Sequence, residues 1–159
     1  MKQKSLSSWL CLITYGVALC ILAIFALAIP DYGMSIVAKN PEFESWYLPW
    51  LIFVEISGIP CLIALIPSYR IFRKIGCDCS FSVDNARRLS LISVLAAADG
   101  AYIFVGNVVF LLLEMSHPGV LLLSFIAVFG AVSISVATAA LSHLVRKAAE
   151  LQEQSDLTI

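Results

Sequence analysis

Four separate apolar runs, each long enough to cross a bilayer, constrain this chain more than anything else in it. They span about 9–29, 46–67, 89–113 and 119–144, opening at Trp9, Trp46, Leu89 and Gly119. A hydrocarbon core about 30 Å thick is crossed by roughly 20 helical residues. Lipid offers no partner to a backbone N–H or C=O, so an open-ended span must bond to itself as a helix. The reading is all-α: a four-transmembrane-helix bundle filling a single domain, residues 1–159. With 13% charged residues the chain could not clothe a soluble core of this length.

The cations set the expected orientation. The ten are Lys2, Lys4, Lys39, Arg70, Arg73, Lys74, Arg87, Arg88, Arg146 and Lys147. Nine flank the segments before span one, between spans two and three, and after span four. By the positive-inside rule both termini lie in the cytoplasm. Trp9, Trp46 and Trp50 fall near the span ends, as an aromatic belt would have them. Lys2, Lys4 and Ala26-Leu27-Ala28 also imitate a cleaved signal peptide, but the apolar run is longer than a usual signal core. The expectation is a retained first helix.

The connections divide into two kinds. On the outer side, Pro30–Ser45 reads as a mildly acidic loop partly ordered by Pro30, Gly33 and Pro41. The Glu114–Pro118 link is so short that spans three and four must form an antiparallel hairpin. On the inner side, Ser68–Lys74 should continue span two into the headgroup layer. Ser82 then reads as the N-cap of span three, with Asp84 in its first turn and Phe81 placed as a hydrophobic staple. Beyond Leu144 the chain stays helix-friendly and ends in an acidic and apolar tail.

Phe81-Ser82-x-x-Asn85-x-x-Arg88-Leu89, together with the terminal Asp156-Leu157-Thr158-Ile159, resembles the YoaS-like family of bacterial membrane proteins, a domain of unknown function (DUF2975). The resemblance covers the chain in length and span count and implies a bacterial cytoplasmic membrane, crossed several times. Genes of that family often neighbour small helix-turn-helix regulators, which implies a regulatory role. It supplies no catalytic residues, and Cys77-Asp78-Cys79 stands outside its pattern.

Candidate chemistry centres on Glu55 and Asp99, acids within spans two and three that hold no Lys or Arg. Ionisable residues at this depth face the protein interior and mark sites by default. At about 100° per residue, Asp99, Tyr102, Gly106, Asn107 and Glu114 share a broad face. Glu55, Asp99, Tyr102 and Asn107 therefore form the candidate ion or ligand site, with interhelical hydrogen bonding as the structural alternative. Asp156, Leu157, Thr158 and Ile159 are the candidate contacts for a cytoplasmic protein partner. Ser124, Ala127, Ala131, Ser135, Thr138 and Ser142 line a small-residue strip for packing in the bundle or for a homodimer through span four. Weak metal candidates are Glu114 with His117, and Cys77 with Cys79. Structural zinc wants four ligands and only the distant His143 could join those thiols.

No nucleophile triad, phosphate loop, haem box or paired metal motif occurs, so no enzyme and no cofactor is expected. No basic face remains for nucleic acid once the loops are assigned. Three functions stay open. The first is a membrane-embedded sensor or regulatory partner of a cytoplasmic protein. The second is a small dimeric proton- or cation-coupled transporter using the buried carboxylates. The third is an immunity protein against a membrane-active peptide.

Overall fold

The computed structural model describes residues 3–77, 80–116 and 118–156. Among them there is no strand. Helix α1 (Gln3–Ala23) passes through a π-helical turn, Ile24–Ala28, into α2 (Ile29–Lys39). After a 3-10 turn at Pro41–Phe43 come α3 (Glu44–Ile75), α4 (Val83–Leu112) and α5 (Pro118–Asp156). Four helical rods are long and apolar enough to span a membrane: Lys4–Lys39, Pro41–Ile75, Val83–Leu112 and Gly119–Ser155. The shortest, 30 residues, measures about 45 Å at 1.5 Å per residue, so every rod outreaches the hydrocarbon.

One expectation fails here. The outer loop from Pro30 is mostly helix. Pro30 lacks an N–H and crowds the carbonyl four residues back, which ordinarily breaks a helix. The wider π turn immediately before it absorbs that misfit, and the backbone stays helical at Ala28 (φ −69°, ψ −41°). The rod stops only at Asn40, whose N–H reaches the carbonyls of Ile36 at 2.9 Å and Val37 at 3.1 Å. Gly33 serves packing. A Cβ there would lie 2.6 Å from the Tyr47 ring, and Tyr47 donates to the Pro30 carbonyl at 3.4 Å.

Two further local readings hold and one does not. Ser82 is extended (φ −141°, ψ 148°) and its Oγ accepts from the Asn85 N–H at 3.3 Å, capping α4. Helix α3 runs past Pro67 to Ile75 and carries Arg73 and Lys74 in its last turn. Phe81 stays 60% exposed and makes no staple.

The helices pack in chain order, antiparallel throughout. On α4 and α5, Ser93 meets Ser135, Gly100 meets Ala131, and Ala86 meets Ser142. On α3 and α4, Phe53 meets Tyr102, Cys61 meets Asp99, and Lys74 meets Asp84. On α1 and α3, Phe25 meets Gly58, Tyr15 meets Tyr69, and Ser7 meets Phe72. In each list one index rises as the other falls. The contacts join α1 to α3, α3 to α4 and α4 to α5, while α1 and α5 make no comparable contact. The bundle is thus open along one side.

The interior is more polar than the surface. Buried hydrophobic side chains among the described residues are Ala86, Leu89 and Val145, whereas Ser7, Thr14, Asn85, Ser93, Asp99, Asn107, Ser124 and Ser142 are also buried. Phe129 and Leu112 are 74% and 77% exposed. Lipid makes that inversion favourable: tails solvate Leu and Phe, and polar groups find partners only between helices.

Candidate functional site

Asp99 anchors the site on α4. The residue is 9% exposed, and its Oδ2 lies 3.9 Å from the Cys61 thiol of α3, the limit of a weak S–H donation. Its Oδ1 is buried and accepts no hydrogen bond. No Lys or Arg lies within any of the apolar runs. An ionised carboxylate in such surroundings, with no compensating cation, costs several kcal/mol.

One turn away, the Tyr102 hydroxyl donates to the Phe53 carbonyl across the α3–α4 seam at 3.1 Å. The Phe53 ring sits 4.9 Å from that of Tyr102 and 5.2 Å from that of Phe110. Gly106 makes room for it, since a Cβ there would overlap the Phe53 ring. Tyr102 and Phe53 thus hold the two helices in fixed register beside Asp99. Asn107 is 4% exposed; its amide donates to the Ile103 carbonyl at 2.8 Å and its Oδ1 is buried without a partner. It stands about 80° round the helix from Asp99, toward the α5 side, at about 100° per residue.

Glu55 does not join this group. It lies about 200° round α3 from Phe53, which faces α4, and about 60° from Gly58, which faces Phe25 of the π turn that follows α1. Its Oε1 is buried and unpartnered on that other face. Cys61, which meets Asp99, stands about 120° round α3 from Glu55, and no hydrogen bond joins the two carboxyls among the described residues. Sequence spacing fixes angles within a helix but says nothing of which neighbour each face meets.

The weak metal candidates fall partly outside the described residues. Glu114 follows the end of α4 with φ 58°, outside the helix. His117 and Cys79 lie outside the described residues, and Cys77 is an exposed free thiol. No metal-binding cluster occurs among the described residues. Of the tail, Leu157, Thr158 and Ile159 lie outside them, and Asp156 is the last residue of α5. The small-residue strip of span four is occupied within the chain: Ser135 and Ser142 bond to α4, and Ala131 abuts Gly100.

Sequence reading missed two features. Cys61 beside Asp99 depends on the α3–α4 register, which no spacing reveals. The second was legible: Asp84 and Arg88 stand four apart on one helix face and pair at 2.7 Å, with Lys74 of α3 joining at 2.6 Å. These residues precede the apolar run that starts at Leu89. The hydrogen bond from Lys74, helped by the charges of Arg88 and Arg87, holds the Asp84 carboxyl below the usual carboxylate range. The α3–α4 seam thus ends in a charged clasp.

Comparison with known proteins agrees with this architecture. Residues 33–159 match the family described as a protein of unknown function (DUF2975). The uncharacterized membrane protein YoaS of Bacillus subtilis (strain 168) is 26% identical over 117 residues, covering 71% of this chain and 73% of that protein. No solved structure matches. With the family match spanning most of the sequence and four helices fit to cross a bilayer, the chain belongs to the DUF2975 family and is a multi-pass membrane protein of uncharacterised function.

Proposed function

We propose that this protein is a non-catalytic membrane sensor, in which occupancy of Asp99 by a proton or small cation is relayed to a cytoplasmic regulatory partner. The observation carrying this reading is the unpartnered, buried Oδ1 of Asp99 at the seam between α3 and α4. That seam is the contact joining the α1–α3 pair to the α4–α5 pair. A change of charge on Asp99 alters the cost of keeping the seam closed. Rigid α3 and α4 carry the adjustment to the Lys74–Asp84–Arg88 clasp at their basic ends. The positive-inside rule supports placing those ends in the cytoplasm of a bacterial cell, where a soluble partner could meet them.

The test uses proteoliposomes and a variant that keeps Cys77 as its one cysteine. The rate at which a maleimide labels Cys77 should depend on pH with Asp99 present and become flat in Asp99→Asn, while both proteins stay folded. Glu55→Gln, on the other face of α3, should keep the response. A pH response surviving in Asp99→Asn refutes the assignment. Proton flux through the liposomes, abolished by the same substitution, would replace sensing with transport.

A further inference from the structure

At the basic ends of the helices, α3, α4 and α5 enclose an apolar groove of about 380 Å³. Ile71, Phe72, Leu89, Ile92, Leu141 and Val145 supply most of its wall. It lies where the second apolar run ends, the third begins and the fourth ends, at the boundary between hydrocarbon and headgroups. Its size falls in the range of small-molecule sites, roughly 300–1,000 Å³.

Three of the four polar side chains in the wall are already committed, the Ser80 hydroxyl being the exception. Ser68 donates to the Ala64 carbonyl at 2.7 Å, and Thr138 to that of Ile134 at 2.7 Å. The Asn85 amide donates to the Ser80 carbonyl at 3.0 Å and accepts from Arg88 at 3.4 Å. The groove therefore rewards an apolar occupant and gives a polar one little to bind. Its rim is the reverse. The three helices bring Arg70, Arg73, Lys74, Arg87, Arg88, Arg146 and Lys147 to this end. Among the described residues, only Lys74 and Arg88 of these form ion pairs, both to Asp84. Arg70, Arg73, Arg87, Arg146 and Lys147 are exposed and form no ion pair among the described residues.

We infer that this groove holds an acyl chain of an anionic phospholipid, with the headgroup on the arginine collar above it. Chain and charge make separate demands, and the two parts of the site meet one each. Basic pockets between spans on the cytoplasmic side are suited to anionic headgroups. The inference does not depend on the role given to Asp99.

Native mass spectrometry tests it, on protein delipidated and re-exposed to equal phosphatidylglycerol and phosphatidylethanolamine. The wild type should retain phosphatidylglycerol preferentially. Thr138→Trp and Ser68→Trp, filling the groove from two different helices, should abolish retention while thermal melting shows the fold intact. If one fails to fold, the other carries the test. Arg73→Gln and Arg146→Gln should each weaken phosphatidylglycerol retention about fivefold, the factor for ~1 kcal/mol per interfacial cation, and leave phosphatidylethanolamine unchanged. No lipid selectivity in the wild type, equal retention after filling the groove, or a dimer mass that filling abolishes would each overturn the assignment.

Discussion

The two seams of α4 show opposite ways of using polar residues in lipid. Toward α5 the contact is close and its serine hydroxyls are paired, with the Oδ1 of Asn107 as its one open group among the described residues. A Cβ on Gly100 would stand 3.0 Å from that of Ala131, while Ser93 bonds to the Ser135 carbonyl at 2.8 Å and Ser142 to that of Ala86 at 2.7 Å. Toward α3 the contact is made by rings and a glycine cut-out, and Asp99 keeps an oxygen unsatisfied. Both seams meet the same solvent. Paired hydroxyls in a span are adhesive, and open hydrogen bonds such as that of Asp99 are where a site is to be sought.

Overfilling each seam separates them most sharply. Gly100→Leu should destabilise by about 3 kcal/mol, the upper end for overpacking, because Ala131 is fixed to its helix and cannot swing aside. Gly106→Leu should cost nearer 1 kcal/mol, since the Phe53 ring opposite can turn about its side-chain bonds. Denaturation in mixed detergent micelles measures both. Equal losses would erase the distinction between a backbone seam and a side-chain seam.

A smaller effect probes the adhesive itself. Ser93→Ala removes the hydroxyl that bonds to Ser135 and should cost about 0.6 kcal/mol, the usual value for a hydrogen bond between spans. Asp99→Asn in the same assay should cost no more than this, because it removes only a weak thiol contact. A far greater loss would make Asp99 structural.

The smallest effect belongs to the clasp. Its Asp84 partner binds protons more weakly folded than unfolded, so the clasp's contribution is present above the unfolded value of about 3.9 and fades as pH falls through the lower folded value. Between pH 7 and pH 3 the melting temperature of wild type should fall slightly more than that of Asp84→Asn. The difference should shrink in high salt, because Asp84 is exposed.

The spans, the hairpin and the Ser82 cap were legible because each depends on local composition or on the length of a connection. Helix α2 was not. Pro30 and Gly33 are breakers by propensity, and only the π turn and the Tyr47 contact show why the helix continues. The candidate site was half legible. Asp99 and Tyr102 could be found from burial cost and helical angle, yet grouping Glu55 with them required knowing which neighbour each face of α3 meets. Register between helices is a property of packing, and no span carries it alone.

The π turn at Ile24–Ala28 also makes the first rod unevenly tolerant of changes in length. A π turn amounts to one residue more than an α-helix needs. Losing a single residue within it would return the segment to ordinary α-helix and leave the faces on either side in phase. The same deletion between Thr14 and Cys20 would rotate everything beyond by about 100° and turn Gly33 away from Tyr47. Length variation in this part of the chain thus meets the Pro30 misfit at one place and a loss of helix phase a few residues earlier.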